Sequence, residues 1–170
     1  MTTPIKNDKM LQNCNNGSVR VIALQNDDVE EVLMLARIMH QESQTYRQFP
    51  FDDAVFRGWL IAAVNEPKRF FCGVAEQDNE IVGAMLGVSM NMLFSSSKMA
   101  SELGLFVRPA YRGGRAGLKL VRAFEEWARN NGCSLITVGV SAGITDERAV
   151  KFYEKLGFEK HGVALRREIS

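Results

Sequence analysis

LFVRPAYRGGRAG, residues 105–117, leads from an apolar strand pattern through a proline and three glycines into a helical pattern. Unpaired backbone amides at the start of a helix carry partial positive charge, and glycines let an anion approach them closely. Arg112 and Arg115 add full positive charges. The stretch therefore predicts an anion site at a strand-to-helix junction. The alternative is a plain turn, in which the glycines only supply positive φ angles and the arginines are solvated.

The spacing within this stretch disfavours two common nucleotide sites. The triphosphate-binding pattern GxxxxGK[ST] is absent, and so is the dinucleotide pattern GxGxxG. Nucleoside triphosphates and NAD are therefore not the expected ligands.

The composition is that of one globular domain. With 170 residues, of which 46% are hydrophobic and 24% charged, the chain is long enough for one sizeable core but short for two. The polar opening segment has no helix or strand periodicity. We therefore expect residues 1–18 to form a flexible extension and residues 19–170 to form a single domain.

Charge and hydropathy narrow the classes of partner. The 21 Lys+Arg and 20 Asp+Glu give a net charge of +1, which argues against a nucleic-acid partner. No apolar run is long enough to cross a membrane and the opening segment lacks a signal-peptide core, so we expect a cytoplasmic protein without a membrane partner. Cys14, Cys72 and Cys133 lack CxxC spacing, which predicts neither a metal site nor a disulfide framework.

The periodicity predicts an alternation of strands and helices. A short strand at 19–24 precedes a helix from Val29 to Met39 and a second helix, capped by Asp52 or Asp53, that ends near Val64. An antiparallel hairpin follows at 70–76 and 80–89, then a strand at 100–107, a helix from 118 to about 131, a strand at 134–140 and a helix at 146–156. Residues from 158 onward are expected to return as one or two terminal strands. This order, βααβββαβαβ, predicts the α/β (α+β) class.

A second stretch, DERAVKFYEKLGF at residues 146–158, is the more specific motif. It is similar to N-x-x-A-x-x-F-Y-x-x-x-G-F. In the first stretch, Arg112, Ala116 and Gly117 fit the pattern [QR]xxGx[GA]. On these residues the chain resembles the GNAT superfamily of N-acetyltransferases, over about residues 19–168 in element order. Arg115 departs from the pattern, which has glycine there, and Gly114 is expected to supply the lost backbone freedom.

The resemblance implies a fold, a cosubstrate and a set of cofactor-binding residues. The fold is a GNAT-like mixed, mostly antiparallel central sheet, flanked by helices and splayed between its fourth and fifth strands. The cosubstrate is acetyl-CoA, with its pyrophosphate on the loop amides and its pantetheine arm along the fourth strand. Asp146 stands where the family commonly has asparagine, so it either contacts the cofactor or caps the helix. The implied residues are Leu105, Phe106, Val107, Arg112, Gly113, Gly114, Arg115, Ala116, Gly117 and Asp146.

Acetyl transfer to a primary amine by direct attack on the thioester needs a base for the amine and a proton for the departing thiolate. By resemblance Tyr153 is the general acid, on one helical face with Asp146; the alternative is a buried ring with a solvated hydroxyl. Strand alternation would put Glu102 on the same face as Gly104 and Phe106, directed at the cleft. Glu102 is the candidate base, with a water chain as the alternative.

The polar and aromatic stretch 41–51 lies in the region that shapes the acceptor pocket in proteins that the chain resembles. Glu42 is predicted to attract a cationic amine, and Tyr46 and Phe49 are the other predicted substrate-binding residues. The competing interpretation is that Phe49 and Phe51 only anchor the second helix. The acceptor itself stays open between an amine of a small molecule and an amine of a protein.

Two other functions also stay open. A non-catalytic CoA-binding sensor or interaction module would keep the anion site without turnover, and an acyltransferase with a longer acyl-CoA would keep the chemistry with another donor. A homodimer is expected only by analogy, because edge strands in such folds often pair between copies.

Overall fold

The computed structural model describes residues 18–167 and residue 169. Within these residues the chain forms five strands and four α-helices. In chain order they are β1 (Arg20–Ala23), α1 (Val29–Glu42), α2 (Asp53–Asn65), β2 (Phe70–Gln77), β3 (Glu80–Asn91), β4 (Lys98–Val107), α3 (Ala116–Asn130), β5 (Cys133–Thr137) and α4 (Asp146–Lys155). The predicted extension at 1–18 lies outside the described residues apart from Ser18, and the division into domains stays a prediction.

The strands follow one another across a single sheet, in the order β1-β2-β3-β4-β5. The pairs from β1 to β4 are antiparallel, and β5 runs parallel to β4. The β2–β3 turn closes because Asp78 and Asn79 adopt φ angles of 53° and 63°, a left-handed geometry that Asp and Asn tolerate. The predicted mixed, mostly antiparallel α/β architecture is confirmed.

Helices cover both faces of this sheet. One face packs under α1 and α2 through residues such as Val74 and Ala84, and the other packs under α3 and α4 through Ala75 and Met85. Because successive side chains of a strand point to opposite faces, β2 and β3 are apolar almost throughout. The start of α2 is fixed as predicted, since Asp52 Oδ1 accepts hydrogen bonds from the amides at positions 54 and 55.

Strands β4 and β5 separate halfway along β4. Their pairing ends at Ser101 and Thr137, and β4 continues to Val107 with no strand on that edge among the described residues. The strand predicted at 134–140 therefore ends early. Beyond Thr137 the amide of Gly139 donates to the carboxylate of Glu102 instead of to a strand partner. The splay leaves one edge of β4 open.

The terminal strands predicted after Phe158 are not formed by residues 158–167. Val163 and Leu165, whose alternation is typical of a strand, are 88% and 93% exposed. A strand is stable only when it pairs with a partner strand, and residues 158–167 pair with none of the described strands. That prediction was wrong.

Candidate active site

A β-bulge in β4 separates the two ends of the strand. Gly104 pairs with Leu86 of β3 and Glu102 pairs with Gly87, so Leu103 has no partner on β3. An inserted residue of this kind reverses the alternation of side chains, because the period of a strand is two.

The bulge turns Glu102 toward α3 and α4. A Cβ on Gly87, the partner of Glu102, would meet the ring of Phe124 in α3. Phe106, below the bulge, packs instead in the core under α1 and α2. Gly104 and Phe106 share a face as predicted, since a Cβ on Gly104 would lie 2.7 Å from the ring of Phe106, but the prediction that Glu102 shares it was wrong. Glu102 does reach the cleft.

Glu102 occupies the point where β4 and β5 separate. Its Oε2 accepts a hydrogen bond of 3.0 Å from the amide of Gly139. Burial raises the pKa of Glu102 from its ordinary 4.5 to about 7, an effect that the hydrogen bond from Gly139 partly opposes. Near neutral pH this carboxylate is about half ionised and suited to accept a proton.

Tyr153 extends from α4 toward the point where β4 and β5 separate. Its ring is 6% exposed and packs edge-on against Phe158, with ring centroids 5.4 Å apart. Burial, and after it the negative charge of Glu102, raise the pKa of Tyr153 well above its usual value. The hydroxyl is therefore protonated at neutral pH, as a proton donor must be.

One cleft of about 250 Å³ brings most of the predicted site residues together. It runs between β4, the β5–α4 loop and α4. The predicted residues that line it are Tyr46, Glu102, Leu105, Phe106, Val107, Arg112, Asp146 and Tyr153. Gly139, Ser141 and Ala142 were not predicted, and they line the cleft from the β5–α4 loop because the strand ends early.

The loop between β4 and α3 lies at one end of this cleft. Among residues 113–117, which end the loop and begin α3, four amides have no hydrogen-bond partner within the described part of the chain, those of Gly113, Arg115, Ala116 and Gly117. The amides of Arg112 and Gly114 are used, since they donate to carbonyls at positions 109 and 111 over 3.3 Å. Four unpaired amides at a helix start are suited to bind an anion.

The backbone of the loop explains why an arginine is tolerated at position 115. Arg115 has an ordinary helical conformation, with φ −87° and ψ −12°. The left-handed conformation belongs to Gly113, with φ 84°. The freedom expected of Gly114 is thus supplied by its neighbour, Gly113.

Arg112, which lines the cleft, pairs with Glu42 at the end of α1. The guanidinium of Arg112 forms an ion pair with the carboxylate of Glu42, and its Nε donates to the carbonyl of Val107 over 2.9 Å. The charge of Glu42 is therefore compensated, because the end of α1 lies beside the start of the loop. Glu42 is not placed to attract a cationic amine, and Arg112 braces the loop from the side.

Arg148 is a cation that the sequence reasoning missed. A Cβ on Gly113 would lie 2.8 Å from Nη2 of Arg148, so this guanidinium stands beside the unpaired amides. The motif treats position 148 as variable, and only the packing of α4 against the loop reveals it.

Thr145 rather than Asp146 is the N-cap of α4, and Asp146 Oδ1 accepts from the amide of Gly143 over 2.9 Å.

The α1–α2 loop closes the cleft from above. Ser43, fully buried, donates through its hydroxyl to the carbonyl of Ala142 over 2.5 Å. Beyond this contact Tyr46 and Phe49 line a second cavity of about 350 Å³. Phe51 packs into the core and anchors the loop, whereas Phe49 is 55% exposed.

The described residues contain neither a candidate metal cluster nor a helix that could span a membrane. No cluster of three or more His, Cys, Asp or Glu side chains in that part of the chain is arranged to hold a metal ion. None of its helices combines the length and apolar character needed to cross a membrane.

Solved structures share this fold across nearly the whole chain. A transcriptional regulator from Bacillus halodurans C-125 is 24% identical with a TM-score of 0.71, covering 89% of this chain and 100% of its own. The aminoglycoside N-acetyltransferase AAC(6')-Iy in complex with CoA is 18% identical with a TM-score of 0.73, covering 90% and 96%. Glucosamine-6-phosphate N-acetyltransferase from Arabidopsis thaliana is 17% identical with a TM-score of 0.69, covering 90% and 99%. None of the curated protein sequences matches the chain.

A family model gives the more specific comparison. The model of the Acetyltransferase (GNAT) family matches residues 32–158. The match spans the chain from α1 to the end of the second motif, and so includes the loop amides, Glu102 and Tyr153. The chain belongs to the GNAT family of acetyltransferases.

Proposed function

We propose that this protein transfers the acetyl group of acetyl-CoA to a primary amine, of a small molecule or of a protein, by direct attack. The observation that carries the proposal is the pairing of Glu102 with Tyr153 in one cleft, at the splay between β4 and β5. One side chain has its pKa near neutrality and the other holds its proton, as a base and an acid require.

The coenzyme fits the other end of the cleft. The four unpaired amides of the β4–α3 loop, with the guanidinium of Arg148 beside them, would hold the pyrophosphate. The open edge of β4 at Leu105 and Phe106 would hold the pantetheine arm by backbone pairing. The carbonyl of Val107 already accepts a hydrogen bond from Arg112 and is less available.

The reaction then needs two proton transfers. Glu102 accepts a proton from the amine as the new N–C bond forms. Tyr153 donates its phenolic proton to the sulfur as the C–S bond breaks. No covalent intermediate on the protein is required, and Cys72, the buried thiol of β2, lies away from the cleft with its pKa raised by burial to about 12.

The test is thiol release from acetyl-CoA with a panel of primary amines, with mass detection of the products. We expect Tyr153→Phe to lower kcat by about 100-fold, because the sulfur loses its proton donor, and to leave CoA affinity within about twofold by calorimetry. Tyr111→Phe is the matched control, since the Tyr111 hydroxyl bonds Glu80 over 2.9 Å outside the cleft.

Each outcome of this test has a distinct meaning. Unchanged turnover in Tyr153→Phe would remove Tyr153 from the mechanism. If the protein binds CoA but releases no thiol from acetyl-CoA with any amine of the panel, it is a coenzyme-binding sensor and not an enzyme. Faster thiol release from a longer acyl-CoA would change the donor and keep the chemistry.

A further inference from the structure

The second cavity lies between α1, α2 and the loop that joins them, and its walls are aromatic. We name it the aromatic pocket. The rings that line it are those of Tyr46, Phe49, Phe51, Phe56, Trp59 and Phe106. Its volume of about 350 Å³ lies in the range of small-molecule sites.

The aromatic pocket adjoins the catalytic cleft. Four residues line both cavities, Met39, Tyr46, Leu103 and Phe106. Leu103 is the bulged residue of β4 and follows Glu102, which lines the cleft but not the aromatic pocket. An acceptor whose body fills the aromatic pocket and whose amine extends past Leu103 into the cleft would present that amine to Glu102.

Of the three carboxylates at or near the aromatic pocket, two are in ion pairs and the third caps a helix. Among the described residues that line it, Asp52 has the only carboxylate, and one of its oxygens caps α2. Of the nearby acidic residues, Glu42 pairs with Arg112 and Asp53 pairs with Arg37. A polycationic acceptor would therefore lose the solvation of several charges and find only the carboxylate of Asp52 without an ion-pair partner.

Apolar side chains on the rim of the aromatic pocket, by contrast, are exposed to solvent. Phe49 is 55% exposed, Trp59 is 42% exposed and Val55 is 61% exposed, all on the rim of the aromatic pocket. Aromatic side chains that surround a cavity favour a ligand that covers them.

We infer that the acceptor is a primary amine on an aromatic or other apolar body, such as an arylalkylamine, rather than a polycation or a sugar phosphate. The inference rests on the proposed function and narrows its substrate class. It separates this chain from its fold neighbours, whose names refer to aminoglycosides and glucosamine 6-phosphate.

The experiment compares four acceptors at equal concentration with acetyl-CoA. They are 2-phenylethylamine, 1,4-diaminobutane, tobramycin and glucosamine 6-phosphate. We expect kcat/KM to be at least about tenfold higher for 2-phenylethylamine than for the other three. We also expect Phe49→Ala to raise the KM for 2-phenylethylamine about tenfold with little change in kcat. Phe94→Ala is the matched control, because Phe94 is 96% exposed in the β3–β4 loop away from both cavities.

A second variant tests the charge argument. Val55→Glu adds an unpaired carboxylate to the rim and should shift the ratio of kcat/KM toward 1,4-diaminobutane by about tenfold. Higher activity with tobramycin, 1,4-diaminobutane or glucosamine 6-phosphate than with 2-phenylethylamine would overturn the inference and leave the acetyltransferase standing. No thiol release with any amine, including larger panels, would overturn the proposed function itself and this inference with it.

Discussion

The coenzyme side and the acceptor side of this cleft are built from different parts of the chain. On the coenzyme side the binding groups are backbone amides of the β4–α3 loop and an open strand edge, supplied by glycines and by the splay of β5. On the acceptor side they are aromatic side chains from the α1–α2 loop, α2 and β4. Backbone sites constrain the sequence to a recognisable motif, whereas a wall of side chains does not. Glu102 lies between the two sides, and the Glu42–Arg112 ion pair connects the end of α1 to the β4–α3 loop.

Glu102→Gln should have the largest effect, and it separates chemistry from binding on both sides. We expect kcat to fall by about 100-fold or more, because the amide cannot accept the proton, while KM for each substrate changes little. Activity of the parent should rise with pH through about 7, the pKa of Glu102, and the residual activity of Glu102→Gln should lose that step. A pH profile of kcat/KM with the same step in both proteins would assign the base to another group.

The same substitution should also stabilise the fold at high pH. In the folded protein Glu102 holds its proton up to about pH 7, whereas in the unfolded chain it loses it near 4.5, so the parent loses stability as pH rises through about 7. The difference between the two pKa values corresponds to a loss of roughly 3 kcal/mol in the free energy of unfolding. Glutamine does not titrate, so the Glu102→Gln variant does not show this loss. Urea unfolding at about pH 5 and pH 8.5 measures it, with Glu126→Gln on the exposed face of α3 as the control. An equal gap between Glu102→Gln and the parent at both pH values would contradict the raised pKa.

Gly113→Asp should change the coenzyme side alone. The side chain would be strained at φ 84° and would put a carboxylate beside Arg148 and the unpaired amides. We expect CoA affinity measured by calorimetry to fall at least about tenfold, because this carboxylate repels the pyrophosphate and competes for its partners.

Gly132→Asp is the control for Gly113→Asp. Gly132 also has a positive φ, of 74°, but lies beyond the other end of α3. The Gly132→Asp variant carries the same strain and the same added charge, and we expect it to bind CoA as tightly as the parent does. Equal affinity in all three proteins would mean that the loop does not hold the pyrophosphate.

The contrast between the two sides also explains what the sequence could predict. The β4–α3 loop and Tyr153 follow from short motifs, because local glycines and helix periodicity determine them. The bulge at Leu103 has no local signal, and without it the face of Glu102 was assigned wrongly. The pairing of Glu42 with Arg112 joins residues 70 positions apart, which no local pattern reports. The strand predicted after Phe158 is not formed, because apolar alternation shows only that a segment could join a sheet and not that it pairs with an open edge such as that of β4 or β5.

The Glu42–Arg112 pair offers the smallest and most informative change. Both side chains are 30% exposed, so the pair is partly screened and worth on the order of 1 kcal/mol. Glu42→Gln should therefore raise KM two- to fivefold for acetyl-CoA and for the amine together, since it releases both the coenzyme loop and the end of α1, with kcat nearly unchanged. Glu30→Gln, which breaks the Glu30–Arg57 pair between α1 and α2 far from the loop, should leave both KM values as they are. A rise in only one KM would show that the two sides of the cleft are built independently, because a shared brace must affect both.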